Sequence, residues 1–545
     1  MYLRETRRVN QDGTVVCYLQ LAHNERHPET GVSTARVIHN FGRADQVDRE
    51  ALARLVGSIA RVLDPADAPV TSGDVEVIES RPMGGAWVLD RLWERLGIGG
   101  EVRDVARRTR RRYRIEAEAV ERVIFAMVAN RALDPSSKLA GCRWISERVW
   151  IPGLADVDDD TCYRAMDFFL TTLAEIQRAV FFAVADLLTL EVDLVFFDTT
   201  STYFEVDRPD EFRRHGHSKD HRPDLPQVVV GMAVTRGGIP VRAWVWPGNT
   251  SDQTVLDEVR GDLAGWSLNR AVWVVDAGFA SAANRRVLST AGGHYIVAEK
   301  LRSDSAEVQA ALSRQGRYQR VADNLEVKEV RVGEHDRFVI ARNSEQAERD
   351  AHVRGEIVAQ LEAEIANSDR LPARKRAELC GALRTKPAYN RYLRVTPGGL
   401  LRIDAAAIKN DARLDGKFLL RCSDPSLSAA DIALGYKALS EVERGWRDMK
   451  STLDLRPVYH RLEHRITAHV QLCWLALLLI RVIETTTGDT WRNTRNELQR
   501  LHLVTLATTA GTVAQRSALT PGQRAILTAL DLGEPAHYHD FTPSS

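Results

Sequence analysis

The stretch between residues 192 and 299 constrains the fold most, because apolar β-rich runs and helical segments follow one another there in a definite order. It begins with "VDLVFFDTTSTYFEV", a run of β-branched and aromatic residues typical of a buried strand. Two strands around a Gly-Gly turn follow in "QVVVGMAVTRGGIPVRAWVWPGN", which is a strong hairpin signal. The helix "SDQTVLDEVRGDLAG", the strand "AVWVVDAGF", a second helix and the strand "HYIVAEK" complete the segment. The order β-β-β-α-β-α-β predicts a mixed sheet covered by helices.

Two aspartates end or interrupt the most apolar strands of this segment. Asp198 follows "LVFF" and Asp276 follows "VWVV". A carboxylate in such a place is costly to bury unless it is paired, hydrogen-bonded or bound to a metal. If the first and fourth strands are neighbours, the two aspartates lie side by side at one end, and a divalent cation would offset their repulsion. The alternative is that each aspartate only caps the turn that follows it.

The segment "YKALSEVERGWRDMK" is predicted to be one helix with a chemically unusual face. At about 100° per residue, a single stripe contains Tyr436, Leu439, Glu443, Arg447 and Lys450. Trp446 borders this stripe, whereas Glu441 lies on the far side. One acid, two bases and a tyrosine suit a surface where the acid holds a metal and the bases hold phosphates. The alternative is a solvated helix with salt bridges spaced four residues apart.

These residues carry a resemblance to a known family. Asp198, Asp276 and Glu443, with a Tyr-x6-Glu-x6-Lys helix, resemble a DDE transposase of the IS4/IS1634-like insertion-sequence group. The signature of that group is Tyr-x2-Arg-x3-Glu-x6-Lys, and Leu439 stands here in place of the arginine, a departure that resembles the IS1634-like branch. The resemblance runs from about residue 190 to 485, and more weakly through the N-terminal region. It includes "GHSKDHRPDLPQVVVGMAV", "PGNTSDQTVL", "VVDAGF" and "LRPVYHRLEHRITAHVQLCWLALLL".

The resemblance implies a fold and a set of residue roles. The fold would be an α/β, RNase H-like mixed sheet flanked by helices, with a β-rich insertion domain. The three carboxylates would bind two Mg²⁺ ions, with Mn²⁺ as a substitute, for in-line phosphodiester displacement. Arg447 and Lys450 would grip the DNA backbone near the cut, and Tyr436 would position a phosphate or the helix. Lys219 and Arg222, in "SKDHRPD", are further candidate DNA contacts, the alternative being a solvated loop.

The function implied is that of a transposase that cleaves and joins DNA at insertion-sequence ends in cut-and-paste transposition. The partners would be double-stranded DNA, as terminal inverted repeats and target DNA, and a second copy of the chain in a synaptic homodimer. Two alternatives stay open: another RNase H-like DNA nuclease, such as a resolvase, or a non-catalytic DNA-binding relic. The expected location is the cytoplasm, at the nucleoid and not at a membrane.

Changes in composition and hydrophobic pattern along the sequence predict six regions. They are an N-terminal β-rich region (1–75), a helical region that binds DNA (76–190), the first part of the RNase H-like core (191–304), an insertion subdomain (305–425), the rest of the core with the Glu443 helix (426–485), and a C-terminal helical tail (486–545). Within the first region, "TVVCYLQLAH" and "STARVIHNFG" predict a hairpin.

Charge limits how the chain could hold nucleic acid. It has 74 basic and 74 acidic side chains, so binding would depend on local basic surface. Two arginine-rich runs offer such surface, at residues 103–114 and 370–386, although each could equally be a solvated face. The first is a candidate for binding the terminal inverted repeats.

The cysteines, the histidines and the longest apolar run argue against a disulfide-bonded, a zinc-binding and a membrane-spanning protein. The six cysteines form no C-x-x-C pair, which indicates buried thiols in a reducing cytosol. Two histidine groups, His215, His217 and His221 in one loop and His460 with His464 in another segment, bring no cysteine, so DNA contact or ordinary packing is preferred over zinc. The run "LCWLALLLI" is about half the length that spans a bilayer and predicts a buried helix.

Overall fold

The computed structural model describes residues 2–10, 14–26, 33–63, 75–113, 116–187, 193–206, 208–266, 271–333, 336–508 and 511–543. These residues divide into two compact units. The smaller unit consists of Met1–Met83, Gln499–Arg524 and Gly533–Ser545, and the larger of Gly84–Leu498 and Ala525–Leu532.

The first part of the chain is a small β region followed by helices. In order, the elements are β1 (Tyr2–Val9), β2 (Val15–Arg26), β3 (Ser33–Arg43), α1 (Arg49–Leu63), β4 (Glu76–Pro82), α2 (Gly84–Arg95), α3 (Ile98–Tyr113), α4 (Ala117–Leu133), α5 (Lys138–Arg143) and α6 (Asp159–Leu187). Strands β1, β2 and β3 form an antiparallel sheet in that order. The pairing of β2 with β3 confirms the predicted hairpin.

The central segment has the predicted order of strands and helices. Its elements are β5 (Leu194–Tyr203), β6 (Gln227–Thr235), β7 (Pro240–Pro247), α7 (Leu256–Leu263), β8 (Val272–Val275), α8 (Ala282–Leu288) and β9 (His294–Glu299). One boundary was predicted wrongly, because α7 begins at Leu256 and not at Ser251. The residues between them form turns, and the Asp252 side chain there accepts a hydrogen bond from Thr199 of β5.

The following segment contains both strands and helices. Its elements are α9 (Ala306–Ser313), β10 (Gln319–Ala322), β11 (Leu325–Val332), β12 (Asp336–Asn343), α10 (Ser344–Ile365), α11 (Ala373–Arg384), α12 (Pro387–Tyr392), β13 (Leu393–Val395), β14 (Leu401–Ile403), α13 (Ala405–Ala412) and β15 (Lys417–Cys422). Helices α10 to α13 and the β13–β14 ladder share a small core around Leu361, Leu383 and Tyr392. The description of this segment as β-rich is therefore only partly correct.

Four strands from residues 305–425 extend the central sheet. The nine-stranded sheet has the order β10-β11-β12-β15-β9-β8-β5-β6-β7. Strand β15 joins the two parts, because it pairs antiparallel with both β12 and β9. Strands β5, β8 and β9 are parallel, and β6 and β7 continue the sheet as antiparallel strands. The first and fourth strands of the central segment are thus direct neighbours.

The last part of the chain carries the remaining helices and a second sheet. Its elements are α14 (Ala429–Lys437), α15 (Ser440–Ser451), α16 (Glu463–Thr487), α17 (Trp491–Leu498), β16 (His502–Thr508), β17 (Gly511–Arg516), α18 (Pro521–Ala529) and β18 (Tyr538–Pro543). Strands β18, β17, β16 and β4 form an antiparallel sheet in that order. The prediction of a helical tail is wrong for these strands. Within the described part of the chain they pair with one another and with β4, a segment more than 400 residues away whose pairing leaves no local signal in the sequence.

The predicted helix over residues 436–450 is two helices. A turn at Ala438 and Leu439 separates α14 from α15, and Leu439 is buried. At the break the backbone hydrogen bonds tighten from i→i−4 to i→i−3, with the Ala438 N–H bonded to the Gly435 carbonyl and the Leu439 N–H to the Tyr436 carbonyl. Tyr436 and Glu443 consequently belong to different helices.

Helix α16 is the central element of the larger unit's core. It packs against α4, α6, α15 and β7, and Gln471 in its middle donates to the Ala243 carbonyl of β7. By length and composition alone, α16 and the stretch Asp159–Asp186 could each cross a membrane. In α16, however, 94% of the most apolar window is buried inside the protein, which is the behaviour of a core helix and agrees with the prediction.

Candidate active site

The two predicted aspartates stand next to each other on neighbouring parallel strands. The ladder between β5 and β8 ends with Phe197 opposite Val275, so the next residues along the two strands are Asp198 and Asp276. Asp276 follows the end of β8, as expected. Asp198 does not end its strand, because β5 continues to Tyr203 while paired with β6.

Asp198 carries a carboxylate in an electrostatically unfavourable place. Its side chain is 20% exposed, and the Lys219 ammonium nitrogen lies 3.7 Å from Asp198 Oδ1. Burial raises the pKa of Asp198 to about 6, the charges of Asp276 and Asp252 act in the same direction, and Lys219 opposes them. Burial therefore disfavours the ionised form of Asp198, and the two neighbouring carboxylates add to that effect.

Two glycines allow α14 and α15 to lie close to the sheet. A Cβ atom on Gly435 would come within 3.0 Å of Leu194 on β5, and one on Gly445 within 2.8 Å of the Met232 side chain on β6. This close approach holds Tyr436 and Glu443 over the strands that carry the aspartates.

Tyr436 connects α14 to the aspartate pair. Its hydroxyl donates to Asp276 Oδ1 over 3.0 Å. Burial raises the pKa of Tyr436 well above its ordinary value, and the charges of Asp276, Glu443 and Asp198 raise it further. The hydroxyl is therefore a permanent donor, and these three carboxylates all lie within electrostatic range of it.

The two glutamates of α15 face different surroundings. Glu443 is exposed and acts electrostatically on Tyr436. Glu441 lies beside the β6–β7 turn, where a Cβ on Gly238 would meet its carboxylate at 3.0 Å, and it is 3.7 Å from Arg444. The structure thus brings Glu443, and not Glu441, towards the aspartates.

The cations of the predicted stripe are used in different ways. Arg447 is exposed on α15. Lys450 instead donates to Thr200 Oγ1 over 2.6 Å and to Asp220 Oδ1 over 2.7 Å, and burial lowers its pKa. Asp220 also lies 2.5 Å from Arg456 and its side chain is only 4% exposed. Lys450 is therefore part of a buried ion cluster.

The two cations of the "SKDHRPD" loop also differ from each other. Lys219 donates to the carbonyl and the hydroxyl of Thr199 over 2.8 and 2.6 Å, and its ammonium is 3.2 Å from Asp252. Arg222 is 42% exposed and pairs with Asp224 over 2.7 Å. Lys219 thus faces the carboxylates, whereas Arg222 remains on the surface.

Sequence reasoning missed Asp252, Asp220 and Thr199. Asp252 was visible as the acidic residue of "PGNTSD", directly after a Pro-Gly turn, but its position suggested only the first turn of a helix. Asp220 is one of five charged or histidine residues in "SKDHRPD", so nothing in the sequence distinguished it as the buried one.

The donor set fits a divalent cation, although the three carboxylates do not form a closed metal site. In the part of the chain that the structure describes, no three His, Cys, Asp or Glu side chains are arranged to hold a metal ion. Asp198 and Asp276 nevertheless present hard oxygen donors side by side, and burial, which raises the pKa of Asp198, disfavours a carboxylate charge that a bound cation would offset.

The histidines and the first arginine run have ordinary contacts. His464 lies 3.3 Å from Asp167, and the His460 ring packs against Tyr163 and His469. In the first arginine run, three arginines pair with acidic groups: Arg103 with Glu94, Arg107 with Glu118 and Arg108 with Glu101 and Glu175. The side chains of residues 110–114 lie outside the description.

Comparisons with known proteins give two sequence matches. Residues 193–479 match the family model described as Transposase DDE domain, and residues 3–69 match the one described as IS1634 family transposase, N-terminal domain. No curated protein matches the chain. Among solved structures, the chain is similar to one in the cryo-EM structure of the piggyBac transposase synaptic complex with hairpin DNA, at 10% identity and a TM-score of 0.35, over 76% of this chain and 79% of that one.

Proposed function

The chain belongs to the transposases with a DDE domain, and on this premise we propose that it cuts DNA at insertion-sequence ends and joins those ends to target DNA. The observation that carries the proposal is the β5–β8 register, which sets Asp198 beside Asp276. The strand order β7-β6-β5-β8-β9 supports an RNase H-like core. The N-terminal match supports the IS1634-like branch, and the wider IS4 grouping stays a prediction.

We propose Asp198, Asp276 and Glu443 as the catalytic carboxylates. Together they would hold two Mg²⁺ ions, or Mn²⁺, which when bound supply a stronger nucleophile and stabilise the leaving oxygen. Tyr436 would orient Asp276 through its hydroxyl, because that hydroxyl stays protonated and points at one carboxylate oxygen. The exposed Glu443 would complete the set from α15.

DNA contacts follow from which cations are exposed. We assign Arg447 to the DNA backbone beside the cut, because it is exposed on the helix that carries Glu443. Lys450 would approach a phosphate while held by Asp220, and Arg222 would contact DNA outside the carboxylate site. The partners proposed are the terminal inverted repeats, target DNA and a second copy of the chain in the synaptic complex, at the nucleoid. Within the chain, the predicted regions other than the helical tail are retained as proposals, with DNA binding by residues 76–190.

The experiment is a cleavage and strand-transfer assay with DNA that carries the element's ends. We expect the wild type to cut and join these ends with Mg²⁺, and Glu443→Gln to lose both reactions. Glu441→Gln is the matched control, since it changes a glutamate on the same helix away from the aspartates. Hydrolysis without joining would favour a nuclease. DNA binding without cleavage would favour a non-catalytic DNA-binding relic. Undiminished cleavage by Asp198→Asn, Asp276→Asn and Glu443→Gln would overturn the catalytic assignment.

A further inference from the structure

Lys219 is held in place from several sides. Its backbone N–H donates to Ser201 Oγ over 2.8 Å, and its ammonium donates to the carbonyl and hydroxyl of Thr199. These bonds place the ammonium nitrogen 3.7 Å from Asp198 Oδ1 and 3.2 Å from Asp252 Oδ2. The nearer carboxylate is thus not the one assigned to catalysis.

Asp252 is fixed by the same threonine. The Thr199 hydroxyl donates to Asp252 Oδ1 over 2.5 Å while it accepts from Lys219. On its other side, Asp252 lies against the turn after Asp276, where a Cβ on Gly278 would meet Asp252 Oδ2 at 3.4 Å. A fourth carboxylate therefore lies between the elements that carry the two aspartates.

The ammonium and a divalent cation would compete for the same oxygen atoms. Both are cations, and in a partly buried place the attraction of an ammonium to a carboxylate 3–4 Å away is strong. Because Asp252 attracts Lys219 over the shorter distance, it draws the ammonium away from Asp198. Without that second anion, only Thr199 would hold the ammonium, and Asp198 would be the one carboxylate left to attract it.

We propose that Asp252 is a positioning residue that acts through Lys219, keeping the ammonium from closing on Asp198 so that this carboxylate stays available to a divalent cation. The proposal rests on the proposed function, since it requires Asp198 to be a metal ligand. Asp252 itself does not need to touch the metal.

The test is a double-mutant cycle on metal affinity in the full-length chain. Mn²⁺ binding is measured by electron paramagnetic resonance of the free ion for the wild type, Asp252→Asn, Lys219→Met and the double variant. We expect Asp252→Asn to raise the Kd for Mn²⁺ about tenfold, as coupling energies between contacting charges allow. Lys219→Met should lower the Kd about threefold, and the double variant should match Lys219→Met within about twofold. Lys219→Arg, which keeps the cation, should stay near the wild type.

Two results would overturn the proposal. An unchanged Kd in Asp252→Asn would mean that Asp252 does not govern the site. If Asp252→Asn still weakens Mn²⁺ binding about tenfold when it is added to Lys219→Met, Asp252 would be a direct ligand of the metal. Circular dichroism checks that each variant is folded. If Asp252→Asn is not, Thr199→Val removes the hydroxyl that donates to Asp252 and accepts from Lys219, and it should weaken Mn²⁺ binding in the same direction.

Asp198→Asn separates failure of this proposal from failure of the proposed function. If the wild type binds no Mn²⁺, or if Asp198→Asn binds it equally well, the metal site itself is wrong. If Asp198→Asn abolishes binding but Asp252→Asn does not change it, only the role of Asp252 fails.

Discussion

The Lys450 ammonium nitrogen lies 2.7 Å from Asp220 Oδ1, although the two residues are 230 positions apart in the chain. Arg456 reaches the same oxygen, and the carboxylate is almost entirely buried. The cluster fixes the end of α15 to the loop that follows β5, and that loop also carries Lys219. The geometry of the candidate site therefore depends on a carboxylate that makes no contact with the reaction.

Asp220→Asn should destabilise the protein by about 2–3 kcal/mol, because it leaves two cations without their buried counter-charge. Urea unfolding measures this loss. Asp224→Asn is the control, since Asp224 lies in the same loop but is 59% exposed in its pair with Arg222. Its exposed pair should contribute at most about 1 kcal/mol. An Asp220 variant no less stable than the Asp224 variant would contradict the prediction.

Asp198→Asn should stabilise the metal-free protein by about 2 kcal/mol at pH 7.5. The pKa of this carboxyl is raised to about 6 in the folded chain. Its ionised form is therefore disfavoured by folding, and the cost is fully present above pH 6 and absent below the unfolded value near 4. Thermal unfolding with a chelator present measures the gain in stability. Glu443→Gln, at an exposed position, is the control and should change the stability little. Loss of stability in Asp198→Asn would show that Lys219 already offsets the charge.

Arg447→Ala should weaken DNA binding with little dependence on sequence. Loss of one phosphate contact is expected to reduce the slope of log K against log salt concentration by about one. Fluorescence anisotropy over a range of salt concentrations measures both effects. Arg444→Ala on the same helix is the control, because Arg444 is engaged with Glu484 over 2.8 Å and should leave the slope unchanged. An equal slope for wild type and Arg447→Ala would remove Arg447 from the interface.

Lys138→Met should stabilise the larger unit by about 2 kcal/mol at pH 7. Lys138 begins α5 and lines a small cavity with Asn130 and Cys162, and burial lowers its pKa to about 8. The unfolded chain binds this proton more tightly, so wild-type stability should rise as the pH increases from about 8 towards 10.5. The variant should lack that rise, whereas the exposed Lys375→Met should retain it. The free energy of unfolding of each variant is measured at pH 7 and pH 10. If it rises as much in Lys138→Met as in the wild type, the prediction is wrong.

The sequence predicted what depends on local pattern. Alternation and turn residues gave the order of the central strands, and angular spacing separated Glu443 from Glu441. Pairing between distant segments left no such signal, so the place of β15 between β12 and β9 and the tail strands beside β4 could not be predicted. The inward position of Lys219 was equally hidden, because one loop contains several cations and only packing decides which of them faces Thr199.

The long segment between Asp276 and Glu443 also means that the residues of the candidate site are synthesised at different times. Asp198 and Asp276 both precede residue 300, whereas Glu443 follows 167 positions after Asp276 (443 − 276). At the usual 5–20 residues per second of synthesis, this interval is on the order of 10–30 s. During it, a growing chain carries the aspartate pair without the glutamate. A chain that terminates between residues 305 and 425 would carry Asp198 and Asp276 but never acquire Glu443, the third carboxylate proposed for catalysis.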